Sequence, residues 1–162
     1  AGGREVNSAL MFSKATDEWA TPQDTFDALD REFRFALDAA ASDTNHKCES
    51  YMTQEMDALA CDWFSSLPLM GPWAVWLNPP YSKCREFIAK AAEEARKGCT
   101  VVCLVPSRTD TRWWHEHVWD REQHKPRPGV EVRFIKGRLK FGGATAGAPF
   151  PSVVIVFRPV VA

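Results

Sequence analysis

Apolar residues recur along this chain in two periods, and the changes of period fall at clear punctuation. After Thr21-Pro22-Gln23-Asp24, the residues Phe26, Leu29 and Phe33 lie at helical spacing. A hydroxyl cap, a proline at the first helical position and an early acid predict a helix from there to about Glu32. Phe35-Ala36-Leu37-Asp38-Ala39-Ala40 predicts a short buried strand that delivers a carboxylate to its C-terminal end. Trp73 to Leu77 predicts another strand, opened by the turn signal Gly71-Pro72 and stopped by Asn78-Pro79-Pro80, where two prolines withhold amide donors. Arg85 to Lys97 predicts a helix with Phe87, Ile88, Ala91 and Ala95 on or beside one face and Gly98 as its stop. Thr100 to Val105 is then a second strong strand. Strand, helix and strand with short connections make a βαβ unit, almost always right-handed and parallel.

Elsewhere the pattern is looser. Residues 42 to 62 are polar, with a short strand near Tyr51-Met52. Asp110 predicts a cap for a short helix through Trp113, Trp114, His117 and Val118, and Gln123 to Gly129 reads as a basic, proline-bearing loop. Val130 to Ile135 predicts a strand, Gly137 to Gly143 a turn with a second extended piece, and Ser152 to Phe157 a last β-branched strand. The expected class is α/β, a mostly parallel sheet with an antiparallel C-terminal part. Residues 1 to 12 open Ala-Gly-Gly without periodicity and read as a disordered or cloning-derived start, leaving 13 to 162 as a single domain.

Composition narrows the class. The 162 residues are 45% hydrophobic, enough to bury roughly 70% of the unfolded surface without staples. No apolar run approaches the ~18 residues of a membrane span, and no basic stretch followed by an apolar one marks a start, so a cytoplasmic protein is expected. Five cysteines, an odd number, read as reduced thiols. The nearest ligand pairs, Cys99/Cys103, His46/Cys48 and His115/His117, complete no four-ligand pattern, and no metal is expected. Charge is polarised: residues 1–81 carry 5 Lys+Arg against 13 Asp+Glu, residues 82–162 carry 15 against 8. If that survives folding, one face suits a cation and another a polyanion; solvated helix faces are the plainer explanation.

Asn78-Pro79-Pro80-Tyr81 is the most informative tetrapeptide. In open α/β sheets, ligands bind beyond the carboxyl ends of strands, where these residues fall. An amino nitrogen on a purine is a poor nucleophile because its lone pair is delocalised into the ring. The Asn78 amide oxygen and the Pro79 peptide oxygen can accept its two hydrogens, favouring a pyramidal nitrogen with its lone pair aimed at an electrophile. Pro80 stiffens the loop, and the Tyr81 ring offers a stacking face. A rigid turn is the bland alternative; the preceding strand, the aromatic fourth residue and the following helix favour the chemical reading.

D-E-W-A-T-P-Q-D-T-F (Asp17 to Phe26), L-D-A-A-A-S-D-T-N-H-K-C (Leu37 to Cys48) and V-W-L-N-P-P-Y (Val75 to Tyr81) resemble the small phage-type DNA N6-adenine methyltransferases. So do L-V-P-S-R-T-D-T-R-W-W-H (Leu104 to His115), F-I-K-G-R-L-K-F (Phe134 to Phe141) and the closing P-F-P-S-V-V-I-V-F. The tetrapeptide alone is shared with methyltransferases acting on glutamine side chains and RNA bases; the combined set is more specific. The resemblance implies an S-adenosylmethionine-dependent enzyme with a Rossmann-like methyltransferase fold, working in the bacterial host cytoplasm if phage-encoded. It implies that Trp19, Thr21 and Pro22 lie against the methionine end of the cofactor, that Asp38 and Ala40 line its pocket, and that Asp57 approaches its adenosine. It also makes Asn78, Pro79, Pro80 and Tyr81 the catalytic loop. Ala39-Ala40-Ala41-Ser42 stands where better-known methyltransferases carry a glycine-rich turn, and alanine adopts a positive φ only at a cost.

Adenine in duplex DNA must be turned out of the stack to be reached. Arg108 and Arg112, just beyond the strand Thr100 to Val105, are candidate DNA contacts. Arg138 and Lys140, two apart in a predicted extended segment, share a face. Trp113 reads as core. DNA is thus the expected partner, with no obligate protein partner evident. Two alternatives stay open: the same chemistry on an RNA base or protein glutamine, and a non-catalytic nucleic-acid-binding module on a methyltransferase fold.

Overall fold

The structure, a computed structural model, describes residues 20–144 and 146–160; the expectations for residues 1 to 12 and for Trp19 lie outside them. Helix α1 (Gln23–Phe33) leads into β1 (Phe35–Ala41), followed by β2 (Tyr51–Thr53), β3 (Ala74–Leu77), α2 (Cys84–Lys97) and β4 (Thr100–Pro106). A π-helical turn (Trp114–Val118) precedes β5 (Trp119–Asp120), β6 (Lys125–Pro126), β7 (Val130–Phe134) and β8 (Ser152–Phe157). Six strands form one sheet in the order β2-β1-β3-β4-β8-β7. The first four run parallel, and β8 enters antiparallel to both β4 and β7. This is the mixed, mostly parallel α/β arrangement that the sequence predicts.

Local chemistry sets the element ends. Helix α1 stops because Arg34 turns left-handed, φ 59°, with its N–H on Asp30 O at 2.8 Å. The Asp30 carboxylate then takes the N–H of Phe35 at 2.9 Å, launching β1. Helix α2 ends where Gly98 reaches φ 131°, a conformation closed to most side chains. Strands β3 and β8 are buried along their whole length, as strands covered on both faces must be.

One face of the sheet (Leu37, Val75, Leu77, Val101, Ile155) packs under Phe87, Ile88, Ala91 and Ala95 of α2, with Trp63, Trp113 and Trp114 beside them. The other face (Trp76, Val102, Leu104, Val154, Val156) is covered by Phe26 and Leu29 of α1 and by Phe141. Alternate residues of β3 and β4 therefore serve opposite layers. Glu94 of α2 is fully buried, yet charged. Burial pushes its carboxyl up, but Lys97, Lys90 and the backbone N–H groups of Phe64 and Trp63 outweigh that and hold it below the ordinary range. It fixes the turn at Phe64–Ser66 to α2, with Phe64 N donating at 3.1 Å.

Several local expectations are corrected. Pro22, not Thr21, is the residue at the N-cap of α1, and no side chain caps that end. Asp110 does not cap the following turn; the chain widens into a π-helix in which the His115 carbonyl accepts from the Arg127 guanidinium. The stretch from Gln123 is not all loop, because Lys125–Pro126 pairs antiparallel with Trp119–Asp120. The stretch 137–143 forms no strand: it ends in a short 3-10 turn, Phe141–Gly143, with the Phe141 side chain buried in the core rather than paired along the sheet.

Candidate active site

Strand order reverses between β1 and β3: the chain leaves β1 toward β2 on one side and β3 toward β4 on the other. Such a switch point opens a crevice beyond the carboxyl ends of the strands. Here it is a cleft with about 1020 Å³ of free space, its open mouth included. The predicted residues Thr21, Asp38, Ala40, Asp57, Asn78 and Pro80 all line it. Pro22, Pro79 and Tyr81 are not among its lining residues. Segments far apart in the chain therefore converge on one space.

Asp38 is 3% exposed. Its Oδ2 accepts the N–H of Lys47 at 2.9 Å and its Oδ1 that of Ala40 at 3.3 Å. Burial pushes its carboxyl above the ordinary range, against those two donors and the charges of His46 and Lys47. Asp38 thus holds the wall of the cleft together. The Lys47 ammonium reaches on to Gln23 Oε1 at 2.8 Å, tying the same loop to α1. Ala39, Ala40 and Ala41 follow within β1 with no positive φ, the register against β2 shifting between Asp38 and Ala41, so a glycine-like turn is not used here. Asp57 does take a positive φ, 50°, which aspartate tolerates better than most residues, and its exposed carboxylate lies at the cleft.

Asn78 follows directly on β3. Its Nδ2 donates to Thr21 Oγ1 at 3.0 Å, joining segments 57 positions apart. Tyr81 opens a 3-10 turn, Tyr81–Lys83, that leads into α2. Its ring stands edge-to-face against Phe150 and Phe141, at centroid separations of 5.3 and 6.4 Å. Burial pushes its hydroxyl well above the usual phenol range, so it stays protonated. The same physics raises the Cys48 thiol near Asp38 to about 12, which leaves no thiolate there at neutral pH.

Asn45, Gln54, Leu59, Lys83 and Phe87 also line the cleft, and sequence reading assigned none of them to the site. The polar run after β1 has no period to place Asn45, and the helical spacing of Phe87 marks it only as a packing residue. Arg108, Arg112, Arg138 and Lys140 are all exposed. They follow the carboxyl ends of β4 and β7, on the edge that carries Asn78. Arg138 also donates to Ala148 O at 3.3 Å. Arg127 and Arg133 are engaged within the fold, on the His115 carbonyl and on Glu32 and Glu131. Among the described residues no group of His, Cys, Asp and Glu is arranged to hold a metal ion, and no helix is long and apolar enough to cross a membrane.

A family model for DNA N-6-adenine-methyltransferase (Dam) matches residues 8–161. The chain belongs to that family. A DNA N-6-adenine-methyltransferase of Escherichia phage T1 is 35% identical over 115 residues, 70% of this chain and 46% of that protein. A DNA N-6-adenine-methyltransferase of Haemophilus phage HP1 (strain HP1c1) is 28% identical over 146 residues, covering 88% of this chain and 79% of that protein. A putative methyltransferase, YfdM, of Escherichia coli (strain K12) is 42% identical over 75 residues, 45% of this chain and 80% of that protein. The chain thus spans about half the length of the phage T1 relative. The mostly parallel sheet with its antiparallel strand is consistent with a methyltransferase fold. The residues present also suit the methyl donor such a family implies. Two carboxylates, the small alanines at the end of β1 and the apolar Leu59 and Phe87 match a ligand that joins a cation, hydroxyl groups and a flat base.

Proposed function

We propose that the chain transfers a methyl group from S-adenosylmethionine to the N6 amino nitrogen of adenine in DNA. The observation that carries this reading is the position of Asn78 and Pro79, two acceptors in one stiff bend at the end of β3, beside a cleft walled by Asp38 and Asp57. The bound donor would supply a methyl carbon on a cationic sulfonium. Asp57, Asp38 and the alanines after it would hold that donor, the carboxylates favouring its positive charge.

Asn78 Oδ1 and the Pro79 carbonyl accept the two amino hydrogens, which pyramidalises the nitrogen and aims its lone pair. Pro80 keeps the bend rigid, and Tyr81, its plane fixed by Phe141 and Phe150, gives the base a flat neighbour. No general base is required, because the nitrogen sheds its proton after methylation, when it is acidic. Alignment and preset acceptors supply most of the rate. The base is turned out of the duplex, with Arg108, Arg112, Arg138 and Lys140 holding phosphates.

The test incubates the protein with labelled S-adenosylmethionine and separate DNA, RNA and protein acceptors, then identifies the modified nucleoside. N6-methyladenine in DNA is expected. Label confined to RNA or protein overturns the substrate. No label anywhere, with no heat on titrating the donor, favours a binding module that uses no cofactor.

A further inference from the structure

Strand β7 forms one margin of the six-stranded sheet, with β8 beside it and, among the described residues, no strand beyond. Hydrogen bonds at both ends of the β7–β8 ladder tell which peptide groups it uses: Arg158 N donates to Gly129 O at 2.8 Å, and Ile135 N donates to Ser152 O at 3.3 Å. In an antiparallel pair only every second residue exchanges such bonds, so Glu131 and Arg133, opposite Val156 and Val154, are the ones turned toward β8. The carbonyl of Val130 and the N–H and C=O of Val132 and Phe134 point outward. Val130 N is taken by Arg127 O at 2.9 Å, while among the described residues the outward groups of Val132 and Phe134 meet no backbone partner. The β5–β6 hairpin is a separate sheet and does not continue this one. Side chains alternate likewise: Val130 and Val132 pack toward the α2 layer, whereas Glu131 and Arg133 lie by α1, where Arg133 reaches Glu32 at 2.7 Å and Arg158 reaches Glu131 at 2.8 Å.

A row of outward peptide groups is a template for another strand, and natural sheets blunt such edges with proline, bulges or charge. β7 carries no proline, and its register against β8 is unbroken. Its sequence, Val-Glu-Val-Arg-Phe, is instead complementary to its own reverse about Val132. We propose that this edge is a docking surface for a second copy of the chain, β7 pairing with β7 antiparallel about a twofold axis through Val132. Val132 then faces Val132, and Val130 faces Phe134, in the hydrogen-bonded positions. Val132 N–H donates to the Val132 carbonyl of the other copy and Phe134 N–H to its Val130 carbonyl, each in both directions. Glu131 faces Arg133 twice, in the positions where opposed Cα atoms are only about 4.5 Å apart, and each such pair joins opposite charges. Phe134, 68% exposed in the single chain, lies beside Val130 of the other copy. Moving the axis to either neighbouring residue sets Glu131 on Glu131 or Arg133 on Arg133, so charge fixes the register. The carboxyl ends of the parallel strands point in opposite directions in the two copies, and the clefts, between β1 and β3, lie away from the joint. A ladder of five residues buries less than the ~1,200 Å² of a standard interface, so the pair is reversible.

Sedimentation of the wild-type protein should show a reversible monomer–dimer equilibrium in the micromolar to millimolar range. Glu131→Arg and Arg133→Glu each set like charges across the axis, so each alone should weaken association about tenfold or more. Mixed in equal amounts, the two variants restore both opposite-charge pairs and should form a heterodimer as readily as the wild type pairs with itself, a rescue that damage to the fold cannot produce. Val132→Pro removes an N–H that only the intermolecular ladder uses, and proline is accepted on an edge strand where that group faces solvent. It should remove the dimer while circular dichroism keeps the native sheet signal. In the wild type, amide exchange at Val132 and Phe134 should slow as concentration rises, with Glu131 and Arg133 unaffected. A wild-type protein that stays monomeric to millimolar concentration overturns the proposal. So does a dimer that survives Val132→Pro, or a mixture of folded charge variants that does not associate. Should the variants not fold, the wild-type exchange pattern decides by itself: equal slowing at all four amides, or none, rules out pairing through this edge.

Discussion

The carboxylate of Asp38 accepts the backbone N–H of Lys47, nine positions on, at 2.9 Å, folding the chain after β1 back onto the strand. One wall of the cleft thus depends on a single buried acid. Replacing it by alanine leaves that N–H without its acceptor in a half-buried position, and Asp38→Ala should lose about 1–3 kcal/mol. Asp38→Asn keeps an oxygen for Lys47 and should lose less. Urea denaturation at neutral pH distinguishes the two.

The Asp38 charge also has a pH signature. Burial raises its carboxyl above the ordinary value of 3.8. A raised carboxyl binds its proton more tightly in the folded state, so it contributes stability that is full below the unfolded value and is lost as pH rises through the folded value. Asp38→Asn should remove that decline. Stability curves of the two proteins that run parallel through this window would contradict the assignment.

Glu94 has the opposite sign. Its folded-state value lies below the ordinary 4.5, so its contribution is present above that value and lost as pH falls through the folded one. Breaking the buried pair with Lys90, 2.9 Å away, should cost about 3 kcal/mol in Glu94→Ala. Glu94→Gln should flatten the acid limb of the stability curve. Both are read from denaturation midpoints as a function of pH.

In the proposed mechanism, Asn78→Ala removes one of the two acceptors at the reacting amine. Loss of a preset polar group of this kind slows turnover about 10²- to 10³-fold, and heat of donor binding should persist because the donor contacts proposed for Asp38 and Asp57 are untouched. Normal turnover by this variant would remove Asn78 from the mechanism.

The arginines should divide by whether the fold already uses them. Arg108 and Arg112 are exposed beyond β4, whereas Arg133 is held by Glu32, with NH2 to Oε1 at 2.7 Å, and stacks over Phe33. Alanine at 108 or 112 should each lower the salt-dependence slope of DNA binding by about 1. Arg133→Ala should leave the slope alone and lower stability slightly. Binding isotherms over a range of salt measure this.

Much of the frame was legible in the linear chain. The unit β3-α2-β4 is marked by apolar period, by Pro79 and Pro80 at one end and by Gly98 at another; each of these acts on its own backbone or its immediate neighbours. The bend at Asn78 could be placed for the same reason, because the strand before it and the helix after it are both local signals. The linear pattern is ambiguous where a residue has two uses. The sequence of Thr21-Pro22-Gln23-Asp24 suits a hydroxyl cap, but Pro22 occupies that position and the hydroxyl finds Asn78. The segment after Asp110 and the Lys125–Pro126 pairing are illegible for a different reason, because a π-helix and a two-residue ladder carry no period of their own.

The sequence alone determined where α1, α2, the long strands of the main sheet and the stiff bend fall, since hydrophobic spacing and proline or glycine chemistry operate within a few residues. Only the tertiary structure decided which polar groups meet: Asn78 with Thr21, Asp38 with Lys47, Arg127 with the His115 carbonyl. A donor or acceptor takes whatever partner packing brings within about 3 Å, and that partner is set by how the layers of the sheet close, not by distance along the chain.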